Sequence, residues 1–309
     1  MRYLIKRVAY ALGLWGAVLL SAFMLFHLVP TDPARVFLGP NASVEQVTAV
    51  RERLGLDRPL AEQLREQAHR MLTFDLGRSW IDDRPVATEV VRKLILSLGL
   101  ALLATVLLGI YLAITLFIDA AFNKISLTRT SDFLCSATPT LFIGVIVALA
   151  SVAWYPYSQF SGSLTSLNDW LFLLPPAFVL ALYPMGVLGR LARDQTRMIE
   201  ASDYVRAARA RGLGTATVFL NYTLRNTMVP LLAAFGNQLP LFLTSAFIVE
   251  IVFSVPGIGS LLLKSVLERD LPTLEGIVLV TSGFSIATSL VLEFLYPIAD
   301  PRIRQPRAR

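Results

Sequence analysis

The chain has 309 residues, of which 55% are hydrophobic and 16% are charged, and its net charge is +6. A soluble domain carries about a quarter charged residues, so this composition excludes an ordinary soluble protein. In a membrane protein, positive charge marks cytoplasmic loops, and we therefore expect no nucleic-acid partner. The one cysteine, Cys135, can form neither an internal disulfide nor a cysteine cluster for a metal, so we expect no metal site.

Long apolar stretches define the predicted elements, since a helix needs about 20 apolar residues to cross a bilayer. They predict an all-α integral membrane protein with six transmembrane helices, at 8–29, 94–118, 133–154, 171–190, 228–252 and 275–297. The first stretch is too long for the core of a signal peptide and has no small-x-small cleavage site. We therefore interpret it as an uncleaved membrane helix.

The short loops predict the orientation, because cytoplasmic loops are enriched in lysine and arginine. The N-terminus, the loops 119–132 and 190–227 and the C-terminal tail together carry 16 basic residues, whereas the loop 155–170 carries none. Both termini are therefore predicted to be cytoplasmic in a multi-pass protein of the bacterial inner membrane.

The predicted organisation has four parts: an N-terminus with the first span (1–29), an extracytoplasmic segment (30–93), a core membrane domain (94–300) and a cytoplasmic tail (301–309). The extracytoplasmic segment is predicted to be partly helical. Ser43 and Gln46 have the spacing of a capping box, and apolar residues follow at helical intervals.

The most polar stretch, ASDYVRAARARGLGTATVFLNYTLRN, belongs to the cytoplasmic loop 191–227. Its first part is rich in good helix formers, and Asp203 suits the first turn of a helix. Gly212 then interrupts this helix, and a second helix is predicted to end before Pro230. Composition alone also fits a solvated loop that contacts anionic lipid headgroups.

This stretch resembles the EAA loop of permease subunits in binding-protein-dependent ABC importers, where Glu-Ala-Ala is followed after three residues by glycine. Ala207, Ala208 and Gly212 match that core, and Arg206 replaces the glutamate. DYVRAARARGL and LRNTMVP are similar to the peptide and nickel branch of these permeases. The outer segment of the same family is resembled by HLVPTDPARVFLGPNASVEQVTAVRERLGLDRPL, and its last two spans and C-terminus by VEIVFSVPGIGSLLLKSVLERDLPTLEGIVLV and DPRIR.

The resemblance implies a type I ABC importer permease whose loop 191–227 carries the coupling helix that docks into an ATPase. The residues that it assigns to this contact are Asp203, Arg206, Ala207, Ala208, Arg209 and Gly212. It implies as partners a second homologous permease, one or two ATPase subunits and an extracytoplasmic substrate-binding protein. This chain has no Walker A motif, so ATP and magnesium are expected on the partner subunits, and no cofactor or catalytic residue on this chain.

Glu250 lies near the outer end of the fifth predicted span, and carboxylates inside membranes are costly and often functional. It is a candidate for the pathway or gate, and the alternative is a helix-end residue that reaches headgroup water. Pro256, Gly257 and Gly259 follow in SVPGIGS, a stretch typical of a helix stop. The resemblance places this stretch at the outer mouth, where substrate is released.

Two other function classes compete with the permease. A stand-alone secondary transporter is disfavoured because no inverted repeat is visible and few charges lie inside the spans. A membrane enzyme is disfavoured because HExxH and GxSxG motifs are missing from the sequence. For the permease, the breadth of the family favours peptides as substrate, with nickel or a metal–chelator complex as the alternative.

Overall fold

The structure, a computed structural model, describes residues 2–28, 34, 38, 42–53, 57–59, 62–66, 69, 73, 75–122, 125–154 and 164–299. Its described residues form helices and connecting turns, with one isolated β-bridge. The chain divides into two compact units, one made of Met1–Ile95 and Pro256–Leu290 and the other of Leu96–Val255 and Val291–Arg309.

The helices follow one another in this order: α1 (Arg2–Leu28), α2 (Val44–Arg53), α3 (Val86–Phe122), α4 (Ile125–Ala137), α5 (Thr140–Trp154), α6 (Leu167–Phe172), α7 (Leu174–Glu200), α8 (Asp203–Ala210), α9 (Thr215–Val218), α10 (Arg225–Val252), α11 (Ile258–Glu268) and α12 (Leu271–Ala299). A π-helical segment, Phe219–Leu224, joins α9 to α10 without a break.

Four helical stretches are long and apolar enough to cross a membrane: Val86–Ala120, Leu174–Glu200, Thr215–Val252 and Leu271–Leu292. The pair α4 and α5 meets the same test together, which makes five. The all-helical fold of the described residues and its several apolar spans agree with the sequence prediction. Helix α1 covers the predicted span 8–29 as far as Leu28, but it is not among these stretches, so the count of six stays a prediction.

Two predicted elements differ from the structure. The predicted span 133–154 is not one straight helix, because α4 and α5 meet at an angle of 95° next to Pro139. A proline has no backbone N–H and its ring disturbs the preceding turn, which explains the break. The second helix of the loop does not end before Pro230 either. It continues through Pro230 and Pro240 to Val252, which a membrane helix tolerates when neighbouring groups satisfy the freed backbone.

The larger core belongs to the unit that contains α7. Of the most apolar part of α7, 56% is buried inside the chain, a larger share than in any of the other three stretches. Its buried side chains, among them Leu180, Met185 and Leu188, pack in one cluster with Phe242 and Phe253. This central helix leads directly to the polar loop that the sequence singles out.

In the other unit, Asp270 holds the residues before α3 against the corner between α11 and α12. The buried Asp270 carboxylate accepts hydrogen bonds from Ser79 Oγ (2.7 Å), the Trp80 backbone N–H (3.0 Å) and Thr273 Oγ1 (2.6 Å). On α2, the capping box between Ser43 and Gln46 is present in both directions, as the sequence predicts.

Candidate functional site

Helix α8, Asp203–Ala210, is the centre of the candidate site. Ser202 is extended and precedes it, and Asp203 occupies the first turn, where a carboxylate interacts favourably with the helix dipole. The chain leaves the helix at Gly212, whose φ is +79°. Glycine adopts this left-handed conformation without steric cost, which explains why the helix ends there.

Helix α8 has one buried and one exposed face. Val205 and Ala208 are buried and pack against Val218, together with Ile199 and Tyr222. The exposed residues of the candidate site are Asp203, Arg206, Ala207, Arg209 and Gly212. The structure therefore brings all six candidate residues to one short helix and its end, but it turns Ala208 inward, where its small side chain lets α8 lie close to α9.

The charges on the exposed face form ion pairs that stay open to solvent. Arg206 contacts Asp203 at 2.5 Å, and their side chains are 70% and 94% exposed. Arg209 lies 3.8 Å from Glu200. Exposed pairs of this kind stabilise a fold by about 1 kcal/mol or less, so these arginines can exchange their partners for acidic groups on another protein at little cost.

The return from α8 to the membrane passes through the π-helical segment Phe219–Leu224. Its Thr223 is buried, and the Thr223 carbonyl accepts a hydrogen bond from Thr227 Oγ1 at 3.0 Å. Thr227 Oγ1 also lies 3.3 Å from Thr196 Oγ1 on α7. Single π-helical turns occur frequently at functional sites. The apolar periodicity of the sequence did not predict this π-helical segment.

The sequence interpretation also missed a group of charges made of the buried Arg193 and Asp132 and the partly buried Asp119, which we call the Arg193 cluster. Arg193 is only 6% exposed and Asp132 only 1%. The sequence interpretation counted Arg193 only among the basic residues of the loop 190–227 and did not single out Asp119 or Asp132. No signal in the sequence set them apart, because Arg193 and Asp132 have polar neighbours, such as Asp194 directly after Arg193.

Glu250 on α10 is completely buried. Its side chain is therefore enclosed by the protein, and its role in a pathway or gate stays a prediction. Its backbone carbonyl accepts a hydrogen bond from the Val255 N–H at 2.9 Å, just after the end of α10. Buried carboxylates of this kind remain candidates for a pathway or gate.

Pro256, Gly257 and Gly259 lie in the other compact unit, at the start of α11. Gly257 has an extended backbone and immediately precedes the helix, while Gly259 is buried in its first turn. This agrees with a helix boundary, which is the simpler of the two interpretations of SVPGIGS.

Two family models together match nearly the whole chain. Residues 105–305 match the binding-protein-dependent transport system inner membrane component, and residues 1–101 match the N-terminal part of a membrane component of the same kind of system. The chain is 32% identical to a predicted peptide transport system permease protein of Brucella abortus over 312 residues, covering 97% of this chain and 98% of the relative.

Relatives that are named for another substrate match the chain over an equally long stretch. The chain is 31% identical to the glutathione transport system permease protein GsiC of Salmonella typhimurium over 313 residues, and 30% identical to GsiC of Escherichia coli over 312 residues. Each match covers 98% of this chain and 99% of the relative. The similarity therefore extends over the spans, the loop 191–227 and the segment 30–93 together.

Proposed function

This chain belongs to the family of inner membrane components of binding-protein-dependent transport systems, and we propose that it forms half of the pathway of an ATP-driven importer of peptides. Its role in such a system is that of a permease, a membrane component without catalytic chemistry of its own. The observation that carries the proposal is α8, a short helix with a basic exposed face that packs against the end of the central span α7.

In the proposed mechanism, α8 is the coupling helix and occupies a cleft on an ATPase subunit. Arg206 and Arg209 pair there with acidic groups of the ATPase, and Ala207 allows close contact because it has only a methyl side chain. Val205 and Ala208 face the other way and hold α8 to α9. When ATP closes the two ATPase subunits, their clefts move and α8 moves with them.

The assembly that we propose has two related permease chains around one pathway, two ATPase domains on the cytoplasmic side and a binding protein on the outer side. Both termini of this chain are then cytoplasmic, as the distribution of basic residues predicts. ATP and magnesium bind to the ATPase subunits. Membrane lipid surrounds the apolar outer faces of the spans.

Peptides are the substrate class that the named relatives support best. One group of relatives is named for peptide transport and another for glutathione, which is itself a tripeptide. We propose that the binding protein selects the peptide and that this chain contributes Glu250 to the pathway or gate. The outer mouth is formed in this proposal by Pro256, Gly257 and Gly259.

The test is an affinity purification of the tagged chain from gently solubilised membranes, followed by mass spectrometry. We expect recovery of an ATPase, a second permease and a binding protein. Reversing the charge of the exposed face, with Arg206→Glu and Arg209→Glu together, should selectively reduce recovery of the ATPase. Arg92→Glu is the control, because Arg92 is an exposed arginine paired with Glu89 on the predicted outer side. Recovery of the chain alone, with transport that needs no ATP, would contradict the proposal.

A further inference from the structure

Three helices meet at the Arg193 cluster. The Arg193 guanidinium, on α7, is ion-paired with Asp132 of α4 and lies 3.6 Å from Asp119 of α3. It also donates a hydrogen bond to the backbone carbonyl of Thr128 at 3.3 Å. One side chain therefore connects α7 to the end of α3 and to α4.

The two carboxylates of the cluster are themselves held in place. Tyr111, on α3, donates a hydrogen bond to Asp132 Oδ1 at 2.6 Å. Thr128, on α4, donates to Asp119 Oδ1 at 2.6 Å. Each aspartate thus has a hydroxyl donor from the helix that carries the other aspartate, so the cluster fixes the position of α3 relative to α4 as well as that of α7.

The helix backbones approach closely at this point. A Cβ atom on Gly186 would lie 2.5 Å from the Asp132 carbonyl oxygen, and one on Gly189 would overlap the Asp132 carboxylate. Both glycines face α4 from α7, one and two turns before Arg193. The absence of their side chains allows the carboxylate to enter the space between the helices, where water is excluded.

The cluster lies close to the coupling helix along the chain. From Arg193, α7 continues to Glu200, and only Ala201 and Ser202 separate it from α8. The Ala201 N–H donates to the Arg197 carbonyl (3.1 Å), and the Arg206 N–H donates to the Ser202 carbonyl (3.1 Å), so backbone hydrogen bonds continue into and out of the turn.

We propose that Arg193 is a positioning residue of the transport cycle, which makes the ends of α3, α4 and α7 move together when the coupling helix moves. This inference rests on the proposed function. A buried ion pair stabilises a fold little more than apolar residues of the same size would, since desolvation offsets most of its attraction. The directional bonds of the cluster do fix the position of α7 relative to α3 and α4. Such a rigid connection transmits a displacement of one helix to the others.

The experiment uses the whole importer, purified with its partner subunits and binding protein and reconstituted in proteoliposomes. Uptake of isotope-labelled trialanine and of glutathione is measured together with ATP hydrolysis, and the readout is peptide imported per ATP hydrolysed. Arg193→Gln should lower this ratio about tenfold while the amount of assembled complex stays the same. Asp132→Asn should behave like Arg193→Gln, Asp119→Asn should have a smaller effect because its contact is longer, and Arg193→Lys should restore part of the ratio.

Arg190→Gln is the matched control, because Arg190 lies one turn earlier on α7, is exposed and donates only to Ser136 Oγ among the contacts that the described residues show. It should leave the ratio unchanged.

If Arg193→Gln keeps the parental ratio, the proposal is overturned, and the same holds if that variant lowers only the amount of complex. If it does not accumulate, Arg193→Gln combined with Asp132→Asn replaces it, since two amides can still hydrogen-bond. Failure of this variant to accumulate as well would make the cluster a folding element alone.

These outcomes differ from a failure of the proposed function. In that case the parental chain would recover no ATPase, or ATP would not drive uptake of either probe by the parental complex. The Arg193 variants are compared only if the parental complex couples peptide uptake to ATP hydrolysis. A failure of the Arg193 proposal and a failure of the proposed function therefore give different results.

Discussion

The exposed face of α8 and the Arg193 cluster use the same residue types in opposite surroundings. On α8, Arg206 and Asp203 are exposed to solvent, and their pairing contributes little to stability. In the cluster, Arg193 and Asp132 are buried, and removing Arg193 leaves two carboxylates without their cation. The difference separates two tasks, because a surface that binds a partner needs charges that can exchange contacts, whereas a connection between helices needs charges that cannot.

The largest effect is expected where the buried cluster depends on close packing. Gly189→Ala should destabilise the folded protein by about 3 kcal/mol, because its Cβ would overlap the Asp132 carboxylate. The amount of protein in the membrane and its melting temperature in detergent measure this effect. Gly109→Ala is the control, since nothing lies within 4 Å of the position where its Cβ would be. Equal stability of the two variants would show that the helices do not cross as closely as described.

The buried carboxylate of Asp270, in the unit made of Met1–Ile95 and Pro256–Leu290, should also be costly to remove. Asp270→Ala should cost about 2 kcal/mol, because Ser79 Oγ and the Trp80 N–H lose a charged acceptor. Limited proteolysis should then cut the segment before α3 more quickly. Asp83→Asn removes the charge of an acidic residue that is 80% exposed and paired only with Arg78 among the described contacts. Asparagine tolerates the φ of +55° at this position, so this control should leave the digestion pattern as it is. Faster digestion in both variants would contradict a specific role for burial.

At the end of α8, the prediction concerns the backbone conformation of Gly212 rather than a charge. Gly212→Val should cost about 1 to 2 kcal/mol of local strain, because a β-branched residue disfavours a φ of +79°. The expected result is normal membrane insertion with peptide uptake uncoupled from ATP hydrolysis. Gly214→Val is the matched control, since the φ of Gly214 is −62° and nothing lies within 4 Å of its Cβ position. Unchanged uptake in Gly212→Val would count against α8 as the coupling helix.

The smallest change in stability is expected on the exposed face. Arg206→Ala should change the free energy of unfolding by no more than about 0.5 kcal/mol, while it weakens recovery of the ATPase in the affinity purification. Thermal unfolding in detergent and the amount of co-purified ATPase measure the two effects separately. A strong loss of stability without a loss of the ATPase would reverse the proposed division between the two charged regions.

The sequence predicted local structure well where one residue type determines the backbone. Asp203 and Gly212 were expected to begin and end a helix, and both do so because a carboxylate favours the first turn and glycine tolerates a positive φ. The capping box of Ser43 and Gln46 was predicted for the same reason. Features that need two distant segments were not predicted, since periodicity within one helix does not show which charges meet.

By itself, the sequence determined the class of the molecule, several of its apolar spans and its family, because apolar length and short motifs depend on neighbouring residues. Only the tertiary structure decided that Ala208 faces inward and that Phe219–Leu224 is π-helical. It also decided the pairing of Arg193 with Asp119 and Asp132. This pairing joins helices that are far apart in the chain, and burial makes an unpaired charge at such a place too costly to keep.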